Sequence, residues 1–194
     1  MTTSFFLGAA IGLVAVMTPG PVSVALIDIG ASRGRSSGVH AGLGVASGDL
    51  IACAMALAVV GLGSSLPSAF FTTTRVVSSM ALVVIGGSLL RRPDIGHGLV
   101  ERIQDPFRSM LTVTALTPSV FGAWVALFTA MPFADDPAQL SLFALGSVAS
   151  SVGWHLALGG ASGALASMVT ARRRVALARL GGSAMLGVAA WTVF

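Results

Sequence analysis

Long uninterrupted apolar runs dominate this chain, and polar residues gather in short stretches between them. The runs predict six helical spans, over about 5–29, 38–61, 72–90, 109–131, 140–162 and 175–191. Each is close to the roughly 20 residues that a helix needs to cross a hydrocarbon core. They do not alternate apolar with polar, so they are not barrel strands. Lipid offers no partners for backbone N–H and C=O groups, which leaves an all-α integral membrane fold. Two spans are interrupted: the first by Thr18-Pro19-Gly20-Pro21, the fourth by Thr117-Pro118. A proline within a helix removes a hydrogen bond and clashes with the preceding turn. Threonine as N-cap with proline at the first helical position is also a good helix start. Each interrupted span is therefore expected to be two half-helices, with broken helices 1 and 4.

The polar stretches set an orientation. Arg33, Arg35, Arg91, Arg92, Arg102, Arg108, Arg172, Arg173, Arg174 and Arg179 fall on one side of the predicted spans, and Arg75 falls on the other with Asp135 and Asp136. The arginine-rich side is expected to be cytoplasmic, which puts both termini outside. The two halves of the chain also resemble each other. Thr18-Pro19 corresponds to Thr117-Pro118, and Ile85-Gly86-Gly87-Ser88 corresponds loosely to Leu180-Gly181-Gly182-Ser183. Three spans per half is an odd number, so similar halves must cross in opposite senses. The expected organisation is one transmembrane domain over 1–194, with inverted three-helix repeats at about 1–92 and 106–194 and a cytoplasmic linker at 91–108. The pairs Gly8/Gly12, Gly38/Gly42, Gly44/Gly48 and Gly159/Gly163 have the spacing that lets helices approach closely. Packing within the bundle is the expected use, and a homodimer is the other.

Composition narrows the function classes. Of 194 residues, 55% are hydrophobic and 9% are charged, against roughly 25% charged in soluble domains. Every basic residue is arginine, so neither a Walker A lysine nor a Schiff-base lysine is available. The net charge of +4 comes from arginines scattered between apolar runs. That is a topology signal rather than a nucleic-acid patch. The segment MTTSFFLGAAIGLVAVM lacks a basic start and reads as a retained span. Cys53 is the single cysteine, and it shares no metal-ligand spacing with His40, His97 or His155. No nucleophile–base pair is visible, and no cofactor is expected.

Asp49 lies eleven residues into the second span, roughly 16 Å deep at about 1.5 Å per residue. A charge there costs on the order of 2.5–3.5 kcal/mol. The expected roles are binding a substrate ammonium or accepting a coupling proton; a structural hydrogen bond is the alternative. His155, in the fifth span, is a second candidate for proton coupling. Asp28 lies near Arg33 and Arg35, where an interfacial ion pair is expected. The half-helix starts, at Thr18, Pro19, Gly20 and Pro21 and at Thr117 and Pro118, would offer N–H groups to a substrate carboxylate.

Several of these segments resemble the lysine exporter (LysE) superfamily, including its homoserine/threonine resistance (RhtB) branch. They are Met17-Thr18-Pro19-Gly20-Pro21, then Ser32-Arg33-Gly34-Arg35-Ser36-Ser37-Gly38 followed by Gly44, Gly48 and Asp49, then Leu116-Thr117-Pro118, where that family usually has Asn-Pro. The resemblance implies a small secondary exporter of amino acids or related zwitterionic metabolites in the bacterial inner membrane, usually driven by protons. A metal or inorganic ion carrier of the same superfamily and a non-transporting membrane scaffold are the alternatives. The implied partners are the amino acid, protons and the lipid bilayer, with no nucleic acid.

Overall fold

The helix starts follow from local chemistry. Asp105 and Asp136 each precede a proline, and each carboxylate takes up backbone N–H groups of the helix that follows. Asp105 Oδ1 accepts from Arg108 N at 3.1 Å, and Asp136 Oδ1 accepts from Ala138 N at 3.0 Å and Gln139 N at 3.1 Å. These are N-caps followed by proline at the first helical position. In the computed structural model they open two of the seven helices bounded among the described residues: α1 (Thr2–Met17), α2 (Pro21–Arg33), α3 (Arg35–Gly61), α4 (Ser68–Arg91), α5 (Pro106–Ala115), α6 (Pro118–Thr129) and α7 (Pro137–Met168). The structure describes residues 2–17, 21–62, 68–91 and 104–168, with individual helical positions between 172 and 190. Thr18, Pro19 and Gly20, the linker residues 92–103 and much of the last expected span lie outside the described residues.

Asp136 also receives the Gln139 side-chain amide, Nε2 to Oδ2, at 2.7 Å. That bond first, and then the Gln139 backbone N–H, holds its carboxyl below the ordinary 3.8. A carboxyl lowered by folding stabilises above its unfolded value and loses that contribution as pH falls through the folded one. Asp136→Ala is therefore expected to melt below wild type at neutral pH. The gap should close as the pH is taken below 3.8, read as Tm of the purified protein against pH.

The expected breaks are present. α1 and α2 meet at a 71° bend, and α5 and α6 meet at 53°. Thr117 has φ −84° and ψ 109°, the extended backbone that a following proline favours. α3 and α7 are each long and apolar enough to cross a membrane, and each bent pair qualifies as one further span. The fold among the described residues is all-helical and of membrane type. α3 starts three residues before the expected boundary. Gly34, at φ +88°, turns the chain within a single residue between α2 and α3, in the left-handed region that glycine enters freely.

α7 is the axis of the bundle and packs against α1, α2 and α3. α1 runs parallel to it. Ser4 bonds to Gln139, Gly8 lies against Phe143, and Gly12 lies against Ser147, a constant offset of 135 positions. On α2 the offset is 132, with Gly30 against Ser162. The offset thus falls by three residues between the Gly12 and Gly30 contacts. α3 runs antiparallel to α7, since Gly38 faces Gly159 and Gly42 faces His155. α5 runs parallel to α3, with Gly44 on Phe107 and Gly48 on Thr114. α1 and α7 therefore run one way and α3 and α5 the other.

Seven of the eight glycines singled out by spacing sit at close helix–helix contacts inside the bundle; Gly163 has open space around it. Seryl hydroxyls add bonds between helices: Ser147 Oγ donates to Gly8 O at 2.9 Å and Ser150 Oγ to Ala9 O at 2.6 Å. The outer faces carry Phe6, Val14, Leu50, Met80, Val84 and Leu145, all exposed, which suits lipid.

Candidate functional site

The close approach of α3 to α7 at Gly38 and Gly42 carries two polar side chains into contact further along. Asp49 has fourteen residues of α3 before it and twelve after. Ser151 and His155 occupy the middle of α7. All three are buried, at 7%, 0% and 5% exposure. Ser151 Oγ donates to Asp49 Oδ2 at 2.5 Å. His155 Nδ1 stands 2.9 Å from Ser151 O and 3.1 Å from Ser151 Oγ, and 3.9 Å from Asp49 Oδ2.

Donor arithmetic assigns the protons. A carbonyl oxygen accepts only, so His155 Nδ1 must carry the hydrogen that bonds to Ser151 O. The Ser151 hydrogen goes to Asp49, so its oxygen is left to accept from the same Nδ1–H. The result is a connected chain from imidazole through hydroxyl to carboxylate, joining α7 to α3. It is not a hydrolytic triad. There the imidazole takes the serine proton and the carboxylate sits behind the imidazole; here serine lies between the two and its proton points at the carboxylate.

Apolar layers bracket this chain. On one side, Ala41 and Val45 of α3 cluster with Leu26 and Ile29 of α2, Met110 of α5 and Leu158 of α7. On the other, Ala52, Cys53 and Ala56 of α3 cluster with Trp124 and Phe128 of α6 and Leu140 and Phe143 of α7. The polar layer thus lies between two dry ones, where electrostatic interactions are strong.

The second helix break lies alongside. Gly48, next to Asp49, packs so closely on α5 that an added methyl would stand 2.6 Å from Thr114 Cβ and 3.1 Å from Ala115 N. Three residues later Thr117 begins α6. Its backbone takes the N-cap position with Pro118 first in the helix, but its hydroxyl makes no cap. Thr117 Oγ1 donates instead to Val113 O, one turn back in α5. The expected threonine cap is corrected in that respect: the hydroxyl satisfies the end of α5 rather than the start of α6.

Of the residues singled out from sequence, Asp49 and His155 are brought together, and Thr117 and Pro118 start the half-helix that follows Thr114. Pro21 is the first residue of α2; Thr18, Pro19 and Gly20 fall outside the described residues. Asp28 is 4% exposed, in the buried stretch from Ala25 to Gly30, five residues before Arg33 at the end of α2. Sequence reasoning missed Ser151 and Thr114. The signal for Ser151 was present, since Ser147, Ser151 and His155 recur every fourth residue on one face of α7. Among the described residues, no three or more His, Cys, Asp or Glu side chains group as metal ligands.

A family model described as LysE type translocator matches residues 13–193, nearly the whole chain. The chain belongs to the LysE type translocator family. No curated protein matches it, and no solved structure does. Membership makes this a multi-pass membrane transporter. In this LysE type translocator the polar layer and the second helix break share one level of the bundle, between apolar clusters.

Proposed function

We propose that this translocator exports amino acids or related small zwitterionic metabolites across the bacterial cytoplasmic membrane, driven by the proton gradient. The observation that carries the reading is the Asp49–Ser151–His155 chain, buried midway along α3 and α7 beside a broken helix. Ionisable groups at such depth are costly, and they mark substrate or proton pathways. The arginine distribution supports a cytoplasmic face at the α2–α3 turn, with both termini outside. The opposed directions of α3 and α7 support two inverted three-helix halves. Because the hydrogen-bonded chain joins these halves, rocking one against the other breaks and remakes it. Asp49 then alternates between Ser151 and the substrate ammonium or a proton. The half-helix starts near Gly20 and Pro118 hold the carboxylate through their N–H groups.

Proteoliposomes loaded with radiolabelled amino acids, with and without an imposed pH gradient, test the reading. Efflux of at least one amino acid that accelerates with the gradient is the expected result. Silence across the standard amino acids overturns it. Movement of a metal ion instead would select the ion-carrier alternative. No transport, with Asp49→Asn and Pro19→Ala leaving every phenotype unchanged, would select a scaffold.

A further inference from the structure

Buried polar side chains in helices have an inexpensive way to satisfy themselves, which is to bond to the carbonyl one turn back. Neighbouring residues use it. Thr117 Oγ1 donates to Val113 O, Thr129 Oγ1 donates to Val125 O at 2.9 Å, and Ser150 Oγ reaches Gly146 O at 3.2 Å. Thr114 does not. It is 2% exposed, and its Oγ1 is buried with no hydrogen-bond partner among the described residues. Trp154 is partly buried, and its Nε1 is likewise buried with no hydrogen-bond partner among the described residues. Buried polar atoms without partners are rare in native proteins, because each costs about as much as the hydrogen bond it lacks.

Both orphans border the polar layer. Thr114 is in the last turn of α5 before the break, packed on Gly48, the residue preceding Asp49. Trp154 precedes His155 and packs against the apolar cluster that holds Val45, one turn before Asp49, and Met110, one turn before Thr114. The threonine hydroxyl can donate, and the indole N–H can only donate. Two unused donors on helices that pack against the one carrying Asp49 complement a ligand with an anionic end and a cationic end.

Building on the export reading above, we propose that Thr114 and Trp154 are the side chains that bind the carboxylate of the transported zwitterion, while Asp49 meets its ammonium. The ligand carboxylate then supplies the acceptor that each of these two donors lacks among the described residues.

This assignment has a signature that a structural role does not. Thr114→Val keeps the shape and removes a hydroxyl that has no hydrogen-bond partner among the described residues. Such a replacement is neutral or stabilising, whereas removal of a bonded hydroxyl destabilises. The substrate-free Tm of Thr114→Val and of Trp154→Phe is therefore expected to equal or exceed that of wild type. In the same variants, the concentration of amino acid needed for half-maximal thermal stabilisation and for half-maximal efflux is expected to rise about tenfold to a hundredfold. The probes are the standard amino acids and the primary amide of whichever stabilises wild type most. Wild type should prefer the acid to its amide, the variants should lose that preference, and Thr114→Ser should retain it. Variants that melt lower without substrate and keep wild-type affinity and acid preference would overturn the assignment while leaving export intact. A wild-type protein that neither responds to nor exports any amino acid would remove the export reading, and the assignment with it.

Discussion

Replacing Asp49 by asparagine is expected to give a folded, membrane-inserted protein whose efflux no longer responds to a proton gradient. The amide oxygen of asparagine can still accept the Ser151 hydroxyl, now bonded at 2.5 Å to Asp49 Oδ2, so the link between α3 and α7 survives. What disappears is the charge and the site for a proton. A charged aspartate at the bilayer centre costs about 2.5–3.5 kcal/mol on the insertion scale, so the neutral isostere should insert and fold at least as well. Gradient-driven efflux should fall on the order of a hundredfold, equivalent to about 2.7 kcal/mol of lost coupling. The decisive comparison is reconstituted efflux with and without a pH gradient, beside the Tm of the same preparation. Retained acceleration by the gradient would remove Asp49 from the proton path. A collapse of Tm with the loss of transport would make its role structural.

The largest effect on stability is expected where α3 and α7 touch through glycine. A methyl placed on Gly42 would stand 2.5 Å from His155 O and 3.0 Å from its carbonyl carbon. Both atoms belong to helix backbone and cannot swing aside as a side-chain tip would. Gly42→Val therefore forces the helices apart, at a cost of about 1–3 kcal/mol or more. Asp49 and Ser151 bond across the same interface two turns along, so transport should fall with stability. Gly153 is the control. It lies on the same helix as His155, and nothing stands within 4 Å of an added methyl, so Gly153→Val should change the melting temperature little. Equal melting of the two variants would contradict the packing described.

The membrane-type helical fold and two of its breaks were legible because lipid imposes a short list of rules. Runs of about 20 apolar residues must be helices, and a mid-span proline must interrupt one. Thr117-Pro118 bends the chain by 53° for this local reason. Glycines at four-residue spacing marked tight packing, and for all of them but Gly163 the contacts lie within the bundle. The same local rules could not say which way a hydroxyl turns. Thr117 fits the threonine–proline start of a helix, yet its Oγ1 bonds back to Val113 O, because in a membrane interior the carbonyl freed by the break also needs a partner.

Sequence by itself determined what kind of solvent this protein lives in, where α3 and α4 begin and end to within a few residues, and that an aspartate lies in the middle of an apolar helix. Each of those follows from composition and spacing along one helix at a time. Tertiary structure alone decided what the aspartate faces. Asp49 and Ser151 are 102 positions apart, and they meet because Gly38 and Gly42 let α3 approach the α7 backbone in one antiparallel register. The orphaned hydroxyl of Thr114 is likewise invisible in sequence, since being without a partner is a property of everything packed around an atom rather than of the residue that carries it.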